Sequence, residues 1–355
     1  MLGARQTYGQ PTLWSSDLVH QIAQFADDRS GARPGGVGDY DGPVRHAVVY
    51  SSAGVALTLA TLLTLFGVGD DPEKLANWQA LILGIVQGAT ELLPISSSGH
   101  LILVPWLFGW DYLEANDAFN QTFDVSLHLG TLVAVGAYFW HDLKGLVAAW
   151  LGSVRRRSIS TTEERMAWVV VAATIPAGVI GFLLEDFIAE HLGEPWQIAI
   201  FLAGFGLLLG WADRRPMTRS MDDLTLKQGV AVGFAQSLAL MPGVSRSGIT
   251  ITAGRFLGLD RDSAARFSFL LLLPITFAAV LFKGITDVLL ADLPSGMVGP
   301  FVVGVLASLG SGLLAIVGLL DYVRRHSYDV FVIYRLIAAA VILLLIATGV
   351  RAATF

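Results

Sequence analysis

Residues Gln87–His100 read QGATELLPISSSGH, and 149 positions further on Gln236–Ile249 read QSLALMPGVSRSGI. Extending the same offset pairs Gln79 with Gln228, Gly84 with Gly233, Gln87 with Gln236, Ser96 with Ser245, Ser98 with Ser247, Gly99 with Gly248, Ile102 with Ile251 and Gly109 with Gly258. A weaker echo follows, in which Phe123–Val135 resembles Phe267–Ala279 after a gap. Gly and Ser recur in membrane helices because small residues let backbones approach. That accounts for the glycines but not for the shared glutamines or the paired loop positions. The chain therefore reads as an internal duplication.

Around this repeat the sequence is that of a membrane protein. Of its 355 residues 54% are hydrophobic and 15% charged, against roughly 25% charged in soluble domains, and the mean hydropathy is +0.61. The apolar residues gather into Trp168–Leu184, Ile198–Leu209, Phe267–Phe282, Phe301–Leu320 and Val330–Thr348, close to the roughly 20 residues needed to cross hydrocarbon. A soluble globule is excluded. With no cysteine, so are disulfides, thiol catalysis and Cys-ligated metals. The net charge of −6 gives no reason to expect nucleic acid as a partner. Residues 1–46, rich in Gly, Pro, Asp and Ser, are expected to be disordered. The apolar run 47–68 is expected to be an extra N-terminal transmembrane anchor, being too long and too far from the start for a signal peptide.

Charge asymmetry gives a topology, since cytoplasmic loops are enriched in Lys and Arg. The basic segments Ser153–Arg165, Asp213–Asp223 and Asp321–Asp329 are assigned to the cytoplasmic side, and the acidic segments Asp111–Gln121, Glu185–Glu194 and Ala291–Gly296 to the outside. Single spans then fall near 123–141, 166–185, 196–212, 265–290, 297–320 and 331–350. Gln79–Gly109 and Lys227–Gly258 must each enter and leave on one face, the two from opposite sides. The expected fold is all-α: a polytopic membrane protein with an inverted-topology repeat, about six core transmembrane helices, two re-entrant helical hairpins and the N-terminal anchor. The membrane domain covers 78–350, with repeat 1 near 79–150 and repeat 2 near 228–290. Broken helices meeting in this way make sites near the bilayer middle.

The residues at the two tips suit an anion. Gln87 and Glu91, four apart, share a helix face, and Pro94 limits that helix. Ser96, Ser97, Ser98 and Gly99 form a tip at a fresh helix N-terminus, where free N–H groups and the helix dipole favour negative charge. His100 opens the return segment. In the second copy Arg246 replaces Ser97 between Ser245 and Ser247, with Thr250 four residues on. An arginine inside a membrane segment costs about 2.5–3.5 kcal/mol, and phosphate, bound bidentately, is a fitting partner. Glu91 as a purely structural partner of Arg246, and His100 bonding only a backbone carbonyl, are the plainer alternatives. His128 and Asp124, on an apolar span, read as structural residues, with substrate contact as the alternative.

At these residues the chain resembles the bacterial undecaprenyl-diphosphate phosphatase family of the bacitracin-resistance type, over Gln87–His100, Pro242–Thr250 and about 78–347 as a whole. The resemblance implies hydrolysis of undecaprenyl diphosphate to the monophosphate, recycling the carrier for peptidoglycan synthesis in the bacterial inner membrane, with the site open to the outer face. It carries over Glu91, Ser97, His100 and Arg246 as the central set, with Ser96, Ser98, Ser245, Ser247 and Thr250 as phosphate-binding residues. Many members have Glu where this chain has Gln87. A divalent cation, Mg²⁺ or Ca²⁺, on Glu91, Gln87 and substrate phosphates is expected, since hard cations take oxygen ligands. Ser97 is the candidate nucleophile, with His100 or Glu91 taking its proton. The expected partners are the isoprenoid diphosphate lipid, the bilayer and, in a homodimer, a second copy. A transporter of a polyprenyl phosphate lipid is the competing reading, because inverted repeats are also transporter architecture.

Overall fold

The computed structural model describes residues 75–110, 117–283 and 298–354, with the side chains of 117–121, 185, 186 and 189 left out. The expected disordered segment 1–46 and the anchor 47–68 lie outside the described residues. The described chain is helical: α1 (Asn77–Leu92), α2 (Ser97–Phe108), α3 (Asp117–Tyr138), α4 (Trp140–Arg156), α5 (Thr162–His191), α6 (Pro195–Asp213), α7 (Leu226–Ser237), α8 (Arg246–Phe256), α9 (Arg261–Lys283), α10 (Val298–Val323) and α11 (Asp329–Ala347). Helices α5, α6, α9, α10 and α11 are long and apolar enough to cross a membrane, and α3 with α4 makes a further pair bent by 84°. Phe182, Leu183 and Leu314 on their outer faces are 70% or more exposed, which suits lipid and not water. The chain is an all-α, multi-pass membrane protein.

The repeat identities now have physical reasons. Gln79 and Gln228 each reach back from the first helical turn, Oε1 accepting the N–H of Ala76 at 3.0 Å and of Thr225 at 3.1 Å, which satisfies donors a helix start leaves orphaned. Gly84 and Gly233 allow close crossings: a Cβ on Gly84 would stand 2.3 Å from the Gly304 carbonyl oxygen of α10, and one on Gly233 2.4 Å from the Ala173 carbonyl oxygen of α5. Ser96 and Ser245 are the N-caps of α2 and α8, both at positive φ (79° and 76°), and their hydroxyls accept the N–H of Gly99 and Gly248. Serine in that region is strained and persists only where its surroundings hold it. The two tips share one capping turn.

At about 1.5 Å per residue, α1, α2, α7 and α8 are too short to span the roughly 30 Å of hydrocarbon. They work as two hairpins. The base of the first closes where Trp78, at the start of α1, stacks edge-on against Trp110, just past α2, at 5.2 Å. The base of the second closes through Thr218 and Arg219 N–H groups on the Gly258 carbonyl at 3.0 and 3.1 Å. The first base lies at the C-terminal end of α11, where Arg351 Nη2 donates to the Leu107 carbonyl at 2.6 Å. The second lies at its N-terminal end, where Tyr328 N–H donates to Asp213 at 3.0 Å and Asp213 also accepts from Arg255 and Arg261. That end also gathers the basic segments, with Arg165 on the Asp222 carbonyl at 2.7 Å and Arg214 beside Asp329 at 3.8 Å.

Three boundaries differ from expectation. Helix α4 was not expected: its Asp142, Lys144, Arg155 and Arg156 dilute the apolar signal that marks a span. Ser153–Arg156, expected in a loop, form its last turn, closed by Arg157 at φ 54°. The expected loop Glu185–Glu194 is mostly the end of α5, which runs on to His191.

Candidate active site

The two tips meet beside α3 and α9 around a cavity of about 230 Å³, lined by Glu91, Ser97, Ser98, Ser245, Arg246 and His128 on its polar side and by Val125, Ala239, Ile275, Thr276, Ala279 and Val280 on the other. The tips are stitched together by Gly243 N–H donating to Ser96 Oγ at 3.1 Å and by Ser247 Oγ donating to the Leu93 carbonyl at 3.0 Å. Glu91, only 6% exposed, is the centre. Its Oε1 accepts from Arg246 Nε and Nη2, both at 3.3 Å. Its Oε2 accepts from the Ser97 hydroxyl and, at 3.3 Å, from Gln87 Nε2, and His128 Nε2 stands 3.6 Å from it. A buried carboxylate without such partners would not stay charged. Arg246 spends Nη1 on the Ser268 carbonyl at 2.9 Å and is 13% exposed, toward the cavity.

Not every expected residue reaches this cavity. Ser96 is wholly buried as cap and stitch, Ser247 is occupied by Leu93, and the Thr250 hydroxyl, also fully buried, is bonded to the Arg246 carbonyl and Ser268 Oγ, both at 2.8 Å. Of the five residues expected to bind phosphate, Ser98 and Ser245 line the cavity, the Ser245 hydroxyl also capping α8, and the other three hold the tips in shape. His100 is turned away. Its Nδ1 donates to the Ser96 carbonyl at 2.6 Å, and its Nε2 meets the Tyr334 hydroxyl at 2.6 Å, so neither ring nitrogen is free to take a proton from Ser97. The serine hydroxyl points instead to Glu91.

The expected cation ligands Glu91 and Gln87 lie side by side on α1. Both oxygens of Glu91 accept hydrogen bonds, and Gln87 is fully buried behind the cavity lining, its Nε2 donating to Glu91 and its Oε1 without a hydrogen-bond partner among the described residues. Among the described residues no group of three or more Asp, Glu or His gathers as a metal site.

Residues 80–341 match the family described as bacitracin resistance protein BacA. The chain belongs to this family. Among its relatives, one from Pelotomaculum thermopropionicum is 45% identical over 272 residues, covering 76% of this chain and 97% of the relative. One from Geobacter metallireducens is 47% identical over 269 residues (75% and 97%), and one from Thermomicrobium roseum 46% over 283 (77% and 99%). All three are named undecaprenyl-diphosphatase.

Arg335 of α11 went unnoticed in the sequence. Its guanidinium, wholly buried, donates to Pro94 O (3.1 Å) of the first tip, Gly243 O (2.8 Å) and Val244 O (3.1 Å) of the second, and Leu202 O (2.9 Å) of α6. The signal was present as a lone cation in an apolar run, which by default marks a polar partner. That the partners are backbone carbonyls of two distant loops and of α6 is a tertiary fact.

Proposed function

We propose that this BacA-family protein hydrolyses undecaprenyl diphosphate to undecaprenyl phosphate and inorganic phosphate. Removing one phosphate regenerates the lipid carrier of peptidoglycan synthesis and protects against bacitracin. The single observation that carries the chemistry is the Ser97 hydroxyl bonded to Glu91 directly beside Arg246, inside an otherwise apolar protein. A nucleophile, a base and a phosphate-binding cation share one cavity.

In our reading the isoprenoid tail stays in lipid and the diphosphate enters between the tips. Arg246 takes phosphate oxygens in place of part of its contact with Glu91. Charge neutralisation and positioning are the main tasks in phosphoryl transfer. Ser97 Oγ attacks the terminal phosphorus and the bridging P–O bond breaks, releasing the lipid monophosphate; the Ser97 proton passes to Glu91 Oε2. Glu91 hands that proton to the departing lipid phosphate and is ionised again. Water then attacks the phosphoseryl phosphorus and gives a proton to Glu91, the P–Oγ bond breaks to release inorganic phosphate, and the Ser97 alkoxide takes that proton from Glu91. His100 becomes a positioning residue that ties the first tip to Tyr334. Glu91 and Gln87 are the residues that would hold a divalent cation, which would supply further charge neutralisation on the diphosphate.

We further propose that the hairpins enter the bilayer from opposite faces as an inverted repeat. Support comes from their bases at opposite ends of α11. The basic segments gathered at one end support a cytoplasmic assignment there by the positive-inside rule. The bacterial inner membrane and a cavity open to the outer face rest on the family resemblance. Purified full-length protein in detergent should release inorganic phosphate from undecaprenyl diphosphate with no gradient or second compartment. Absence of release, with the lipid instead moved between liposome leaflets, would turn the reading to a transporter.

A further inference from the structure

The histidine at the cavity is His128, not His100, and nothing in the tip motifs accounts for it. His128 lies in the middle of α3, 37 residues beyond Glu91, and lines the cavity with Glu91, Ser97, Ser98, Ser245 and Arg246. Its ring is fixed by Nδ1, which must donate to the Asp124 carbonyl one turn back at 2.7 Å because a carbonyl only accepts. Its backbone is fixed as well. Thr131 Oγ1 donates to the His128 carbonyl at 3.0 Å, and Ser308 Oγ of α10 donates to the Leu127 carbonyl at 2.8 Å. A Cβ on Gly130 would stand 2.5 Å from the Val305 carbonyl oxygen, so α3 sits hard against α10. The remaining nitrogen, Nε2, stands 3.6 Å from Glu91 Oε2, beyond hydrogen-bond length, on a side chain 28% exposed. It is rigidly held, aimed at the reacting group and, among the described residues, short of a close partner.

We infer that His128 is a substrate-binding residue that hydrogen-bonds through Nε2 to an oxygen of the terminal phosphate, opposite Arg246 across Glu91. One proton lies between Nε2 and that oxygen, whether the imidazole or the phosphate formally carries it. Arg246 alone engages Glu91 from the second tip. His128 adds a third element, α3, so that the phosphate is gripped from three sides. The inference rests on the phosphatase reading above and names a contact that reading does not need.

The test is steady-state phosphate release by the purified full chain in detergent, with an isoprenyl diphosphate as substrate, for wild type, His128→Leu, His128→Asn and His128→Gln. A hydrogen bond to a charged group that is made equally in ground and transition states shows in KM and not in kcat. His128→Leu should raise KM about 10- to 100-fold with kcat within about threefold. His128→Asn, whose amide is too short to reach, should do the same and stands in if the Leu variant fails to insert. His128→Gln, whose amide N–H reaches about as far as Nε2, should recover KM to within about fivefold of wild type. A KM within twofold of wild type in both Leu and Asn variants overturns the inference. So does a loss of kcat of about 100-fold shared by all three with KM unchanged, which would make His128 a proton-transfer group. If the Leu and Asn variants behave like wild type while Arg246→Ala is inactive, the phosphatase reading stands and only the His128 contact falls.

Discussion

The first tip, Pro94–Gly99, and the second, Gly243–Gly248, enter differently, from a proline in one and a glycine at φ 100° in the other, but converge on the same capping turn and carry opposite equipment. Each starts a helix from a serine at positive φ whose hydroxyl caps the glycine three residues on, and each carries a second serine beside the cap. Between the two serines one copy has Ser97 and the other Arg246. One turn of helix upstream the difference recurs: Glu91 in the first copy, Leu240 in the second. Accordingly Gln87 bonds Glu91 at 3.3 Å, whereas neither amide atom of the buried Gln236 finds a partner among the described residues. Duplication has kept what shapes the loop and divided what does the chemistry. In the proposed mechanism the acid and the nucleophile belong to one tip and the cation to the other, so neither tip is a site by itself.

The largest effect should come from breaking that division. Arg246→Ala should lower phosphate release by about 10³-fold or more, in line with the loss of an arginine that stabilises a transferring phosphoryl group. Arg246→Lys, which keeps the charge and loses the bidentate fork, should fall between. Wild-type turnover in Arg246→Ala would end the assignment of the second tip.

Next in size are the shared glycines. Gly84→Val and Gly233→Val both force a side chain into a backbone carbonyl of the crossing helix, and each should cost about 1–3 kcal/mol or more by overpacking. Thermal unfolding in detergent should drop for both. A drop confined to one copy would mean that the crossings are not equivalent.

The smallest effect tests the shared caps. Ser96→Ala and Ser245→Ala each remove a side-chain cap worth about 1 kcal/mol, so both should lower the unfolding midpoint by a few degrees. Ser96→Ala should do more, since Ser96 Oγ also accepts Gly243 N–H from the other tip at 3.1 Å.

Most of this architecture was legible because it is local. Hydropathy marks α5, α6, α9, α10 and α11, the offset repeat marks both hairpins, and Pro94 and Gly109 mark helix ends. What was hidden is tertiary or mixed in character. Helix α4 escaped because it is too polar to read as a span and follows an 84° bend. Arg335 and Tyr334 escaped because their partners lie more than ninety residues away. His100 was expected at the cavity because it sits in the motif, yet the Ser96 carbonyl and Tyr334 hold both its nitrogens. His128 reads from the sequence as structural, with substrate contact as the alternative, because nothing in the sequence brings α3 to Glu91.

The central claim is that the first tip performs covalent chemistry on a phosphate held by the second. Acid quenching of the purified protein during turnover of a diphosphate labelled in its terminal phosphate tests it most directly, followed by mapping of the label. The account predicts phosphoserine at residue 97 in wild type, with Ser97→Ala unlabelled and turning over at least about 100-fold more slowly. Full activity in Ser97→Ala with no labelled intermediate in either protein would contradict it, leaving water as the direct nucleophile.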